Sequence, residues 1–208
     1  MSNTTHEQAL CRHIYQGDEK ALEELIELHR HSLTTFINSF VHDIDTAEEI
    51  MIDVFVDLVD KKAVYRGESG LKTFLFAIGR NKALRYLRRK KQPPLTFLDE
   101  VEPYEIATAC LEDTVETSLR GQTVRKALLR LRPLYREVLF LLYYEGMTNQ
   151  QAAVVLHKSA KQVANLAYRA KLALRTILEE EGVTEYEIYF LECKWLESLR
   201  RKGLSGVL

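Results

Sequence analysis

The sequence predicts an all-α protein. Only 9 of its 208 residues are glycine and 4 are proline, and the abundant leucine, alanine, glutamate, lysine and arginine favour helices. Apolar residues recur at helical spacing, most clearly between residues 46 and 59. A Ser or Thr followed three residues later by Glu or Gln, the capping box that begins many helices, occurs at positions 46, 148, 159 and 184. We therefore expect two small helical domains joined by a linker, plus an extra C-terminal helix.

Residues 1–92 are predicted to form a bundle of four helices with short connections. Gly17 ends the first helix, Asp18 caps the second, and residues 43–45 interrupt it. Its apolar face comprises Leu22, Leu25, Ile26, His29, Leu33, Phe36, Ile37 and Phe40. Thr46 with Glu49 is expected to cap the third helix, whose buried stripe comprises Ala47, Ile50, Met51, Val54, Phe55 and Leu58. A loop over residues 65–70 precedes a fourth helix, expected from about residue 71 to residue 87.

Residues 93–116 are predicted to be an acidic linker of low order, because they begin with Pro93–Pro94 and have weak periodicity. A second helical domain is expected over residues 117–182. Within it, Leu131 closes one helix and Pro133 stands at a first helical position, where proline is tolerated. The next helix is expected to run from residue 134 to residue 145 and to end at Gly146.

The segment 148–178 contains two consecutive helix starts, each with its own capping box. Thr148 pairs with Gln151 and Ser159 with Gln162, and a turn at residues 157–158 separates the helices. The first helix is short and apolar, with Ala152, Ala153, Val155 and Leu156; the second is long and carries Arg169, Lys171 and Arg175. A short helix, a turn and a longer basic helix are typical of a DNA-reading helix-turn-helix. Helix pairs of this kind are also common in other all-helical proteins, so this segment alone leaves DNA binding open.

Residues 183–208 are expected to form a C-terminal helical extension. Thr184 with Glu187 is a capping box, and Gly203 ends the helix. Its apolar stripe consists of Ile188, Leu191, Trp195 and Leu199. Three roles stay open for it: packing on the second domain, covering the DNA-binding face, or docking a regulator.

Charge is segregated along the chain although the net charge is −1. Seven cations fall within twelve residues: Arg80, Lys82, Arg85, Arg88, Arg89, Lys90 and Lys91. The stretch 93–119 has no lysine or arginine, and positive charge returns between residues 120 and 175. Clustered cations gain free energy by displacing counterions from phosphates. The pattern therefore favours nucleic acid as a partner of the basic segments, over a merely solvated helix end.

Several other classes of protein fit the sequence poorly. No apolar run approaches the roughly 20 residues of a membrane span, and the N-terminus lacks a secretory pattern, so we expect a cytoplasmic protein without membrane insertion. Cys11, Cys110 and Cys193 form no CxxC pair and are expected to be reduced. The histidines lack metal-ligand spacing. We expect no catalytic residue, metal, cofactor or small-molecule substrate.

Two separated stretches resemble one family, the extracytoplasmic-function (ECF) sigma factors of the sigma-70 family. LKTFLFAIGRNKALRYLRRKK (71–91) resembles the DNA-contacting part of their first domain, called region 2. The stretch 131–178 resembles their second domain, region 4, and TAEEIMIDVFVDLV (46–59) resembles the helix that binds the polymerase clamp. The matching segments have the right order and cover most of residues 10–180. The resemblance implies a bacterial initiation factor that has no activity alone.

The resemblance also implies a role for individual residues of the first domain. Asn81 is expected to contact a base edge of the minus-ten element, and Arg80, Arg85, Arg88 and Arg89 are expected to contact phosphates. Tyr65 and Phe74 are weaker candidates for stacking on an unstacked base, since an aromatic residue near a helix start is more often part of the core. The family usually has an acid in place of Arg85 and a tryptophan in place of Phe74. Glu48, Glu49 and Asp53 are expected to contact core RNA polymerase, although Ile52 replaces a polar residue often found there.

In the helix-turn-helix, five residues are candidates for binding the minus-thirty-five element: Lys161, Gln162, Asn165, Arg169 and Lys171. Arg125, Lys126 and Arg130 are candidates for further phosphate contacts. Ala164 and Leu166 stand where the family often has Lys or Arg, so this helix is less basic than usual.

The sequence thus predicts an ECF-type sigma factor that binds core polymerase and promoter DNA, with an anti-sigma factor as an implied partner. The alternative is a helix-turn-helix regulator that binds operator DNA without polymerase. A third interpretation is a small helical hydrolase, but the sequence contains no arrangement of residues typical of a catalytic nucleophile or a metal site.

Overall fold

Helices account for almost all of the regular structure in a computed structural model of the chain. The structure describes residues 2–90 and 119–183, and these residues form no strand. The chain divides into two compact units, one ending at Cys110 and the other beginning at Leu111. The predicted acidic linker and the predicted C-terminal helix lie outside the described residues. None of the described helices is both long and apolar enough to cross a membrane.

The described residues of the first unit form four helices, as the sequence predicts. They are α1 (Ser2–Tyr15), α2 (Glu19–Val41), α3 (Ile44–Val59) and α4 (Leu71–Lys90). The Asp18 carboxylate accepts hydrogen bonds from the backbone N–H groups of Lys20 and Ala21 at 3.1 and 3.3 Å, which confirms its role as the cap of α2. The last helix continues three residues beyond the predicted end, so all of its basic residues up to Lys90 are helical.

The core of the first unit lies between α2, α3 and α4. All six residues of the predicted α3 stripe are buried, and the α2 face is centred on Leu25, Leu33, Phe36 and Ile37, none of which is exposed. The rings of Phe36 and Phe76 lie 5.0 Å apart between α2 and α4. A Cβ atom added at Gly79 would lie 3.0 Å from Leu33 Cδ1, so the absence of a side chain there allows α4 to approach α2 closely.

The predicted capping box at Thr46 is wrong. The third helix begins three residues earlier than a Thr46 cap would give, at Ile44, and Asp43 occupies the N-cap position in an extended conformation. Thr46 is therefore already in the first helical turn, where its hydroxyl donates to the Asp43 carboxylate. Thr46 and Glu49 have the spacing of a capping box, but an N-cap residue must precede the helix. Asp43 occupies that position instead.

The second unit contains four further α-helices among its described residues. They are α5 (Leu119–Arg130), α6 (Pro133–Leu139), α7 (Asn149–Leu156) and α8 (Ala160–Glu180). Pro133 is the first residue of α6, as predicted. Helix α8 packs against α5, α6 and α7, with Val163, Ala167, Ala170, Leu174 and Leu178 buried. It is therefore the central helix of this unit.

The helix predicted over residues 134–145 is present, but it is not α-helical throughout. The α-helical part ends at Leu139, and Phe140–Tyr144 form a π-helical turn. The backbone N–H of Glu145 donates to the Phe140 carbonyl at 2.9 Å, five residues back. The wider turn stacks the rings of Phe140 and Tyr144 at 4.7 Å and buries Leu141 and Leu142. A pattern with a period of 3.6 residues does not encode this insertion.

Candidate nucleic-acid interfaces

The exposed side of α4 carries the cations of the first candidate interface. Asn81, Arg85 and Arg88 are exposed and lie four and three residues apart, a spacing that places side chains on one helix face. Arg89 is exposed beside them, while Leu75, Phe76, Gly79 and Ala83 bury the opposite side. Four of the five residues predicted along this helix therefore share a solvent-facing surface; the fifth, Arg80, is half-buried.

Lys82 differs from the other cations of this segment, because its side chain turns toward α3. The Lys82 ammonium lies 2.7 Å from the Asp57 carboxylate and 3.7 Å from that of Asp53. Its side chain is 20% exposed, and that of Asp57 is 25% exposed. Sequence reasoning counted Lys82 with the basic run and gave no sign of this partner, since the two residues are 25 positions apart.

Tyr65 does not lie on the exposed surface. Its ring is only 8% exposed and lies 5.4 Å from the Phe74 ring, and its hydroxyl donates to the Ser69 carbonyl at 2.6 Å. Its backbone N–H donates to the Tyr15 hydroxyl at 2.8 Å. Burial, with a smaller effect from the Glu7 charge, raises the pKa of Tyr65 to about 12. Because this ring is packed between α1, α4 and the loop that leads into α4, it has no face for a base in this conformation and belongs to the core, the alternative that the sequence left open.

The helix-turn-helix has both predicted capping boxes. Thr148 and Gln151 exchange backbone-to-side-chain hydrogen bonds of 2.8 and 3.2 Å, and Ser159 and Gln162 form an equivalent pair. The turn passes through His157 in a left-handed conformation (φ 53°), a backbone geometry that suits glycine best. The four apolar residues predicted for α7 are all buried. The local geometry of both helix starts is therefore confirmed.

Five predicted groove residues lie on α8, and all five are exposed: Lys161, Gln162, Asn165, Arg169 and Lys171. The carbonyl oxygen of the Gln162 side chain accepts from the Ser159 backbone, so its amide nitrogen is the group left for an outside partner. The Lys171 ammonium lies 4.8 Å from the centre of the Tyr143 ring, a cation–π contact within the unit. Lys161, Asn165 and Arg169 succeed one another at four-residue spacing along one face.

Sequence reasoning missed one residue on this face and misjudged another nearby. Tyr168 is 66% exposed and lies three residues beyond Asn165; its position outside the buried series 163, 167, 170 and 174 was a signal for this. Arg130, a candidate for phosphate contact, instead donates to the carboxylates of Glu180 and Glu181 at 2.6 and 2.9 Å. Both of its terminal nitrogens are thus engaged at the end of α8.

The outward face of α3 combines acidic and apolar residues. Glu48, Glu49 and Asp53 are exposed as predicted. Between and beyond them lies an apolar row that sequence reasoning did not assign: Ile52, Val56 and Val59 are 55%, 43% and 39% exposed. The spacing of these residues, four and three positions, was the available signal. An exposed apolar row with an acidic border is typical of a protein-binding surface.

Two family models match the chain, in the order in which the domains occur. The model for sigma-70 region 2 matches residues 25–92, and that for sigma-70 region 4 matches residues 121–174. Together they account for more than half of the sequence. The chain belongs to the sigma-70 family. The first match contains α3, α4 and most of α2, and the second contains α7 and most of α8. The residues of both candidate interfaces therefore fall within sigma-factor domains.

Curated relatives match this sigma factor over nearly their whole length. The RNA polymerase sigma factor NccH of Alcaligenes xylosoxydans xylosoxydans is 28% identical over 88% of this chain and 100% of its own. The ECF RNA polymerase sigma-E factor of Escherichia coli K12 is 24% identical over 84% and 95%. The protein is therefore an ECF-type sigma factor. It binds core RNA polymerase and directs initiation at promoters by sequence-specific DNA binding, and it is not an enzyme.

Solved structures of similar fold include two proteins in complexes. CnrH, solved with the cytosolic domain of CnrY, is 25% identical to this sigma factor, with a TM-score of 0.61 over 84% of this chain and 97% of CnrH. The sigma factor RpoE of Bartonella quintana, solved with the anti-sigma factor NepR, is 22% identical, with a TM-score of 0.58 over 77% and 98%. Both share the all-α fold.

Proposed function

We propose that α4 contacts the minus-ten element of the promoter through its exposed basic face. One observation carries this assignment: Asn81, Arg85, Arg88 and Arg89 are all exposed on the side of α4 that faces away from the core. Neither Arg88 nor Arg89 forms an ion pair among the described residues, so both guanidinium groups are available to contact phosphates. Asn81 carries an amide suited to a base edge, and the arginines fix the register on the backbone. Arg80 takes a supporting place, since it is half-buried.

The first turns of α8 are proposed to read the minus-thirty-five element. Lys161, Gln162, Asn165 and Arg169 are exposed on the helix that the Ser159 cap begins. In helix-turn-helix proteins the N-terminal part of the second helix enters the major groove. Asn165 and the Gln162 amide suit base edges, while Lys161 and Arg169 suit phosphates. Lys171 is placed last among these residues because it already contacts Tyr143.

The outward face of α3 is proposed to bind core RNA polymerase. Glu48, Glu49 and Asp53 supply negative charge for a basic partner surface, and Ile52 with Val56 supplies apolar area. Charge of this kind accelerates and orients association, whereas apolar contact provides much of the lasting affinity. The combination favours a partner with basic residues around an apolar strip.

We further propose the division of the chain that the sequence predicts. Residues 1–92 form region 2, residues 93–116 an acidic linker, residues 117–182 region 4, and residues 183–208 an extension. The protein is expected to act in the bacterial cytoplasm, where core polymerase is found. An anti-sigma factor is expected to restrain it, as the resemblance to the family implies. The similarity to CnrH, whose structure includes the cytosolic domain of CnrY, supports a protein partner.

Run-off transcription with purified bacterial core polymerase tests the promoter assignment. Templates carry the region upstream of the protein's own gene. Initiation at one site that requires both this protein and core polymerase is the expected result. Footprinting of duplex DNA by the protein alone, without initiation, would support the alternative of a polymerase-independent operator-binding regulator.

The double variant Arg88→Glu, Arg89→Glu tests the assignment of α4. It replaces two phosphate-seeking cations by anions, so we expect promoter opening to be lost while binding to core polymerase is retained. Opening is measured by permanganate reactivity of unpaired thymines, and polymerase binding by fluorescence anisotropy of the labelled protein. Arg12→Glu with Arg30→Glu is the matched control, since it makes the same charge change at exposed positions of α1 and α2. Normal opening by the α4 variant would remove this helix from the interface.

A further inference from the structure

Lys82, in the basic segment of α4, is held away from the exposed face of the helix. Arg85, Arg88, Arg89 and Lys90 are exposed, whereas the Lys82 side chain is 20% exposed and lies against α3. Its ammonium is 2.7 Å from the Asp57 carboxylate, a distance typical of a strong charge-assisted hydrogen bond. Position alone therefore separates Lys82 from its neighbours in sequence.

The α3 side of this contact is built from two acids one helical turn apart. Asp53 and Asp57 are four residues apart, which brings both carboxylates to the same face of α3. Asp57 is mostly covered and makes the short contact, while Asp53 is 67% exposed and lies 3.7 Å from the ammonium. Partly buried pairs are screened by salt less than exposed ones. The contact between Lys82 and Asp57 is consequently less sensitive to salt than an ion pair formed by an exposed arginine would be.

We propose that Asp57 is a positioning residue that withholds Lys82 from promoter DNA. Only cations that reach phosphates release counterions and contribute to the salt dependence of binding. Lys82 lies in the densest basic stretch of the chain. By this assignment it nevertheless contributes nothing to the salt dependence of promoter binding. The contact limits the affinity of α4 for DNA and joins the proposed DNA-binding helix to the proposed polymerase-binding helix. The inference rests on the proposed contact between α4 and DNA.

The test measures how promoter affinity changes with salt concentration, using full-length protein with saturating core polymerase. For each variant the slope of log affinity against log salt counts the phosphates neutralised. Arg88→Gln is expected to make the slope shallower by about 0.7 to 0.9, the contribution of one phosphate. Lys82→Gln is expected to leave the slope unchanged. Asp57→Asn frees Lys82, so we expect a slope steeper by about 0.7 to 0.9 and tighter binding at low salt.

The double variant Lys82→Gln, Asp57→Asn shows whether Asp57→Asn acts by freeing the Lys82 side chain or only by changing the net charge. If Asp57 acts through Lys82, Asp57→Asn does nothing to the slope when Lys82 is absent. Equal steepening with and without Lys82 would overturn the proposal, as would a flatter slope for Lys82→Gln alone or an unchanged slope for Asp57→Asn alone. An unchanged slope for Arg88→Gln would instead refute the assignment of α4 to DNA. Thermal unfolding of each variant checks that the fold is intact.

Discussion

His29 is a buried titratable side chain in the first unit. It lies on the core face of α2 and is 7% exposed. Burial, with a smaller contribution from the charge of Lys72, lowers its pKa from 6.5 to about 4. An imidazole in this position is neutral at physiological pH, because desolvation penalises its protonated form. The sequence pattern predicted its place on the apolar face, and the structure adds the consequence for its charge.

The free energy of unfolding should therefore depend on pH through His29. Between pH 6.5 and pH 4 the unfolded chain binds a proton at this histidine, whereas the folded chain does not. The contribution of neutral His29 to the free energy of unfolding is therefore fully present above pH 6.5 and decreases as the pH falls. The loss approaches about 1.4 kcal/mol per pH unit within that window. Urea unfolding of wild type and His29→Leu, measured from pH 7 to pH 4.5, gives the difference due to this residue. An equal pH dependence of the two proteins in this window would contradict the assignment to His29.

At the scale of single residues, sequence reasoning identified surface residues better than partners. Arg85, Arg88 and Arg89 were expected in solvent and lie there. Tyr65 was a weak candidate for base stacking by its family position, and its ring instead packs against Phe74. Lys82 was counted by its neighbours in sequence, but its partner, Asp57, comes from another helix. Contacts between residues far apart in sequence depend on packing that periodicity does not describe.

At the scale of helices, the two capping boxes of the second unit fix where the DNA-reading segment begins. Ser159→Ala removes the hydroxyl that accepts from the Gln162 backbone N–H. The loss of such a cap costs about 1 kcal/mol, within a range of about 0.5–2. We expect that decrease in the free energy of unfolding by urea, and weaker promoter binding because Lys161 and Gln162 lie in the turn that frays.

Thr176→Ala is the matched control for the cap. The Thr176 hydroxyl, exposed in the same helix, donates to the Leu172 carbonyl, and such bonding back to the helix contributes little stability. Alanine also has the higher helix propensity. Unchanged or slightly greater stability is expected here; a loss equal to that of Ser159→Ala would mean that the cap has no special role.

The sequence predicted the buried faces of α3 and α7 well. All six stripe residues of α3 and all four of α7 are buried as predicted, because a 3.6-residue period directly encodes one apolar face. The capping box predicted at Thr46 was wrong because the helix begins at Ile44, with Asp43 in the N-cap position. The π-helical turn at Phe140–Tyr144 was also missed. One inserted residue changes the hydrogen-bond pattern there while leaving the hydrophobic composition of the segment unchanged.

At the scale of the whole molecule, the net charge of −1 conceals where the charges lie. The cations assigned to DNA occur on α4 and α8, and acids border the exposed apolar row of α3. A nearly neutral chain can thus bind an anionic polymer and a basic partner surface with separate regions, since each partner responds to the local field. The sequence predicted this segregation directly, because it needs only the order of the charged residues.

Equal changes of net charge should therefore have unequal effects on promoter binding. Lys161→Gln and Lys20→Gln both bring the net charge to −2 and give the same shift in isoelectric focusing. Lys161 lies exposed in the first turn of α8, whereas Lys20 lies exposed at the start of α2, outside both candidate DNA interfaces. Only Lys161→Gln should weaken binding of the holoenzyme to a promoter, with a salt dependence shallower by about 0.9 in slope, because one phosphate contact with duplex DNA is lost. If the two variants weakened binding equally, total charge would govern association, and the assignment of α8 to the DNA groove would fail.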